Sequence, residues 1–129
     1  MKIVIPSEYD IQCAIFSWAS FKERQFPCLK LLYATASGIR IPIGLVMKAK
    51  KCGIIKKGLC DIVLPAARGN YHGLYIELKR DQKSKTSKEQ LEFMAMLCSE
   101  GYRATVCAGF DASIAEIENY ITMEKGEMI

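Results

Sequence analysis

The stretch GLCDIVLPAARGNYHGLYIELK, residues 58–79, decides how the chain is read. It divides into two short strand patterns joined by a turn rich in Gly and Asn. Asp61 opens the first strand; Glu77 and Lys79 close the second. Side chains two apart on a strand share a face. Glu77 and Lys79 therefore take one face, and Leu74, Ile76 and Leu78 the other. If the two strands pair as a hairpin, Asp61 comes near Glu77 although fifteen residues lie between them. Two carboxylates and an ammonium then converge at one end of a sheet.

Such a set has a chemical use. Carboxylate pairs are hard oxygen donors suited to Mg²⁺ or Mn²⁺. An ion held there polarises a phosphoryl oxygen and lowers the pKa of a bound water. A neighbouring Lys can orient that water or stabilise developing negative charge. Taken alone, a Glu-x-Lys triplet is more often a solvated strand face. The upstream Gly58-x-x-Asp61 and the apolar strands around both acids favour the chemical reading.

A length of 129 residues fits one domain spanning 1–129 with a real core, and half the residues are hydrophobic. No apolar run approaches the roughly 18 residues of a membrane span. The start, MKIVIPSEYD, has no long apolar signal-peptide core. Cys13, Cys28, Cys52, Cys60, Cys98 and Cys107 form no C-x-x-C pair. They read as reduced core or boundary residues of a cytoplasmic protein, without a zinc site.

The net charge of +4 is unevenly spread. Arg40, Lys48, Lys50, Lys51, Lys56 and Lys57 fall between Ala36 and Cys60 without a single acid. Lys79, Arg80, Lys83, Lys85 and Lys88 follow the second strand, while the chain after Gly109 is acidic. Any one lysine is usually a solvated side chain. Six without a counter-acid favour a polyanionic partner.

Along the chain, Ser7 caps a helix from about Glu8 that buries Ile11, Ile15 and Trp18 with Ala14 and Ala19, and ends before Pro27. Glu8 is also the first-turn acid that a helix dipole favours, with Gln12 on the same face. Leu29–Ala34 reads as a strand, Ser37-Gly38 as a turn, and Pro42–Lys51 as a helix stopped by Gly53. Strands follow at Leu59–Leu64, ended by Pro65, and at Leu74–Lys79. Thr86 with Glu89 forms a capping box for a helix to about Glu100. Leu91, Met94, Ala95, Leu97 and Cys98 are its apolar side, and Gln90 lies in its first turn. Gly101 ends it, and a strand Tyr102–Ala108 completes a βαβ crossover. Asp111 or Ser113 caps a last helix carrying Ile114, Ile117 and Ile121, and the tail Thr122–Ile129 frays. His72 reads as an exposed turn residue, and Tyr33 and Tyr102 as core. The order α-β-α-β-β-α-β-α predicts an α/β fold, one mixed four-stranded sheet with helices on both sides.

This order, with Asp61…Glu77-x-Lys79, resembles the PD-(D/E)-x-K (restriction endonuclease-like) nuclease fold. More closely, the chain is similar to the VRR-NUC (virus-type replication-repair nuclease) domain in its stand-alone phage and bacterial form. The resemblance runs from Glu8 and Gln12 through the basic segment to Gly58-Leu59-Cys60-Asp61, the Tyr71–Lys79 stretch, Gln90, Gly101-Tyr102 and the last helix. It implies that Asp61 and Glu77 ligate Mg²⁺ or Mn²⁺ with the backbone carbonyl of Leu78, and that Glu8 joins them directly or through water. It implies that Lys79 positions or activates the attacking water, and that Gln90 holds Lys79 or the phosphate. One departure is Cys60, where the family usually has Pro before the metal-binding Asp. Stand-alone members are similar in behaviour to archaeal Holliday-junction resolvases. That implies a homodimer nicking branched DNA, four-way junctions above all, in the cytoplasm of a bacterial host and encoded by a phage or prophage. Arg40, Lys48, Lys50, Lys51, Lys56, Lys57, Arg80, Lys83 and Lys85 would then contact DNA. Three readings stay open: this metal-dependent, structure-selective DNA endonuclease; a non-catalytic DNA-binding module of a replication or repair assembly; and a nuclease for flap, single-strand or linear duplex DNA.

Overall fold

The hairpin read from residues 58–79 forms. In the computed structural model, which describes residues 4–126, β2 (Ile62–Leu64) and β3 (Leu74–Lys79) pair antiparallel with Ile62 opposite Ile76 and Leu64 opposite Leu74. β1 (Tyr33–Ala34) lies antiparallel on the far side of β2, with Tyr33 opposite Val63. β4 (Arg103–Ala108) runs parallel to β3, from Leu74 opposite Arg103 to Lys79 opposite Ala108. The sheet order is β1-β2-β3-β4. The helices are α1 (Glu8–Lys22), α2 (Ile43–Lys51), α3 (Lys88–Ser99) and α4 (Phe110–Ile121). The expected element order and mixed sheet are therefore observed. Among the described residues no helix is long and apolar enough to cross a membrane.

The two faces of the sheet differ in kind. Ile62, Leu64, Leu74, Ile76 and Leu78 pack against Ile11 and Ile15 of α1 and Ile117, Tyr120 and Ile121 of α4. This is the apolar core, and it holds β3 rigidly from behind. Tyr120 anchors the α4 side through its hydroxyl, which donates to the carbonyl of Ala66 at 2.6 Å. The opposite face carries Glu77 and Lys79, and α3 lies over it. Asp61, Glu77 and Lys79 are all buried beneath that cover.

Several elements differ from the sequence reading, each for a local reason. Residues 29–31 are not strand: a 3₁₀ turn spans Pro27–Leu31, and β1 is only two residues. Leu29 and Leu32 are buried while Lys30 and Leu31 are exposed, a three-residue repeat rather than a two-residue one. β2 starts at Ile62 instead of Leu59. The capping box of α3 is Ser87 with Gln90, one residue beyond Thr86 and Glu89. The buried side turns with it. Met94 is buried and Gln90, Phe93 and Leu97 half-buried, whereas Leu91, Ala95 and Cys98 are exposed. Neither Asp111 nor Ser113 caps α4. Its N-cap is Gly109, and the buried Ser113 hydroxyl bonds back to the Gly109 carbonyl at 2.8 Å. The tail is tied down where it is described. Gly69 N–H donates to the Glu124 carbonyl at 2.7 Å, and Gly126 N–H to the Gly69 carbonyl at 2.9 Å. Residues 127–129 of the tail lie outside the described residues. Tyr33 is exposed, as are Cys13, Cys52 and Cys98.

Residues 36–57 leave the sheet after β1 and return before β2. Ala49 is the one buried residue of α2, and Ile43 is 92% exposed. The return is fixed at Gly58, whose φ of +86° favours glycine, and whose missing Cβ would stand 2.5 Å from the Glu89 carbonyl in the first turn of α3. Gly58→Ala should therefore lower stability by at least ~1–2 kcal/mol, read as a lower urea midpoint at unchanged m-value. An unchanged midpoint would show that this close approach does not hold the segment's base.

Candidate active site

The sheet ladder passes from main chain to side chain at Asp61. Its N–H donates to the Ile76 carbonyl at 3.0 Å, the last backbone bond on that side of the hairpin. Two residues on, Leu78 has its N–H taken by Asp61 Oδ2 at 2.7 Å. A buried N–H needs a partner, and here a carboxylate supplies it. The other oxygen, Oδ1, accepts from the Ser37 hydroxyl at 2.8 Å. Thr35 closes the surround: its N–H donates to the Asp61 carbonyl at 2.9 Å and its hydroxyl to the Cys60 carbonyl at 2.7 Å.

Glu77, Lys79 and Gln90 form a second connected group. Gln90 Nε2 donates to Glu77 Oε1 at 2.5 Å, and Gln90 Oε1 accepts from Lys79 Nζ at 3.1 Å. Lys79 Nζ lies 3.5 Å from Glu77 Oε1. Gln90 is fixed by its own helix start. Its Oε1 also accepts the Ser87 N–H at 3.0 Å, and its N–H donates to the Ser87 hydroxyl at 3.1 Å. One side chain thus completes the cap of α3 and bridges an acid and a base in the sheet.

Glu77 Oε2 is buried and has no hydrogen-bond partner. Burial, reinforced by the Asp61 carboxylate, pushes the Glu77 carboxyl up to about 8, against the opposing pull of Lys79. Leaving a buried acceptor unpaired is costly. Without an ion, a proton on Glu77 shared with Asp61 meets this need; a cation would replace that proton and balance both acids together.

The structure brings Asp61, Glu77, Lys79 and Gln90 together. Glu8 is not gathered with them: it stands exposed in the first turn of α1, behind its Ser7 cap. That end of the chain does reach β3, because Arg80 donates to the Ile5 carbonyl at 3.0 Å. Among the described residues no three Asp, Glu, His or Cys side chains gather closely enough to hold an ion. The two carboxylates that the fold sets side by side are Asp61 and Glu77. Cys60 is buried, and burial first, then the two acids, push its thiol up to about 12, so it is a poor thiolate donor. Arg40, Lys48, Lys50, Lys51, Lys56, Lys57, Arg80, Lys83 and Lys85 are all exposed. His72 is exposed and edge-on to Tyr102, with ring centroids 5.7 Å apart. Ser37, Thr35 and Ser87 are the site residues that sequence reading missed. Ser87-x-x-Gln90 carried a usable capping signal, whereas Ser37 showed only a turn.

The VRR-NUC domain family matches residues 3–111. The chain belongs to the VRR-NUC family. A solved structure titled as a VRR_NUC domain protein is 32% identical, covers 98% of this chain and 96% of its own, and superposes with a TM-score of 0.77. No curated protein matches the chain. VRR-NUC domains have the PD-(D/E)xK fold, so the family makes this a nuclease domain of that type. In this VRR-NUC chain Cys60 precedes Asp61, and Glu77-Leu78-Lys79 stands at the end of β3.

Glu77 sets an expected pH dependence for the metal-free domain. Folding raises this carboxyl from 4.5 to about 8, so the folded state holds the proton more tightly. Its contribution is fully favourable below pH 4.5 and is lost as pH rises to about 8. Urea unfolding in EDTA across that window should show wild type losing stability toward the alkaline end. Glu77→Gln should flatten the profile. Parallel profiles for the two proteins would contradict the burial argument.

Proposed function

We propose that this VRR-NUC domain, acting as one unit over residues 1–129, is a divalent-metal-dependent, structure-selective DNA endonuclease. The observation that carries the reading is the unpartnered, buried Glu77 Oε2 beside Asp61, with Lys79 held in line by Gln90. Asp61, Glu77 and the Leu78 carbonyl would hold Mg²⁺ or Mn²⁺; Glu8, which stands apart from them, would join through a water or after the start of α1 moves in. An ion bound there lowers the pKa of the attacking water and polarises the scissile phosphodiester. Lys79 offers three N–H donors. Gln90 and Glu77 engage two of them, and the third is available to orient the water or the phosphoryl oxygen. Gln90 keeps that ammonium from collapsing fully onto Glu77. Water gives up a proton to solvent as it adds at phosphorus, the P–O bond opposite breaks, and the departing oxygen takes up a proton from solvent.

The substrate proposed is branched DNA, four-way junctions in particular, cut by a homodimer. Two sites related by a two-fold axis suit a junction of the same symmetry. The exposed cations of residues 36–57 and of the loop after β3 support phosphate contacts rather than base readout. None of the six in the first segment is in an ion pair among the described residues.

Asp61→Asn tests the chemistry better than Asp61→Ala, because the amide oxygen can still accept the Leu78 N–H. Loss of several kcal/mol of Lewis-acid stabilisation predicts about a thousand-fold slower cleavage, with DNA binding retained. The assay is a labelled four-way junction beside linear duplex of the same sequence, in Mg²⁺, Mn²⁺ or EDTA. Paired metal-dependent nicks on the junction alone support the proposal. Cutting of linear duplex or flaps would keep the nuclease and discard the junction preference. Tight binding without cleavage in either metal would leave a DNA-binding module. Changing Lys50, Lys51, Lys56 and Lys57 to Gln should also flatten the salt dependence of DNA binding, by about 0.9 in slope for each phosphate no longer neutralised.

A further inference from the structure

Asp61 has two oxygens in different surroundings. Oδ2 is pinned by a backbone N–H that cannot move without opening the hairpin. The position of Oδ1 then depends on rotation of the carboxylate plane, and Ser37 sets it at 2.8 Å. Ser37 itself stands on a short 3₁₀ turn, Ala36–Gly38, at the base of the basic segment. Its hydroxyl also lies 2.7 Å from the Thr35 hydroxyl.

Hydroxyl protons decide what this pair can do. Thr35 spends its one proton on the Cys60 carbonyl, which can only accept. Ser37 has one proton and two acceptors in reach, Asp61 Oδ1 and Thr35 Oγ1. The charged carboxylate is the stronger acceptor, so the proton goes to Asp61 Oδ1. We propose that Ser37 is a positioning residue whose donated hydrogen bond holds the plane of the Asp61 carboxylate and stays in place when a divalent cation takes another lone pair of that group. This rests on the reading of Asp61 as a metal ligand. Outer partners that orient a metal-binding side chain are typically worth about 10–100-fold in affinity.

The test is Mn²⁺ binding to the full-length, DNA-free protein, followed by electron paramagnetic resonance of the free ion. Ser37→Ala should bind Mn²⁺ about 10-fold more weakly than wild type. Ser37→Cys, a weak donor of similar size, should shift the same way, and Ser37→Thr should restore binding. The Mg²⁺ concentration for half-maximal cleavage should rise by the same factor in Ser37→Ala. Asp61→Asn is the control for the ligand itself. If wild type binds Mn²⁺, Asp61→Asn does not, and Ser37→Ala or Ser37→Cys matches wild type, the inference is overturned and the metal site stands. If wild type binds no Mn²⁺, or Asp61→Asn binds as wild type does, the ligand reading fails and takes the inference with it.

Discussion

The bond from Leu78 N–H to Asp61 Oδ2, 2.7 Å long, organises the site. It ends the β2–β3 ladder with a carboxylate in place of a main-chain carbonyl. Three things follow from that substitution. β3 runs on past β2 without an orphaned N–H. Asp61 is fixed in space by the sheet rather than by its own rotamer. Glu77, the residue before Leu78, is forced to share a small volume with a second acid. The apolar packing of Ile76 and Leu78 on α1 and α4 holds this geometry from the other face.

The strain placed on Glu77 is met from α3. Gln90 faces the sheet because the helix starts at Ser87, and its amide has one donor side for Glu77 and one acceptor side for Lys79. A carboxylate in that position would have repelled Glu77, and a lysine would have repelled Lys79. The amide joins both without adding charge. It leaves the second Glu77 oxygen beside Asp61, to be met by a proton or by a cation. Fold and chemistry are coupled here through a single helix cap.

Much of this was legible in the sequence. The hairpin, and the convergence of Asp61, Glu77 and Lys79, followed from the two-residue period and a Gly/Asn turn. Gln90 entered as a site residue through family resemblance, since a capping position says nothing of a partner in the sheet. The cap of α3 was misplaced by one residue because Thr86-x-x-Glu89 and Ser87-x-x-Gln90 both satisfy the pattern. Only burial under the sheet chooses between them, and that tertiary fact also rotated the expected apolar stripe. Leu29–Leu31 read as strand because a short apolar run has no decisive period. Ser37 was invisible because its partner Asp61 is 24 residues away, a pairing that only the closed sheet creates.

The neck of the basic segment has a wider consequence. Thr35 N–H and the Asp61 carbonyl bond directly across it, so the chain closes a loop there before residues 36–57 are considered. Everything beyond the neck is, in topological terms, an insertion into a finished β1–β2 connection. Insertions of that kind change length at little entropic cost, since closure grows only with the logarithm of loop size. The scaffold can therefore exchange the part of this segment beyond Ser37 for another, longer, shorter or differently charged, and keep its sheet and the Ser37 contact. Divergence among domains built this way would concentrate at one graft point, bonded to the main chain of Asp61, and a designer could use the same seam.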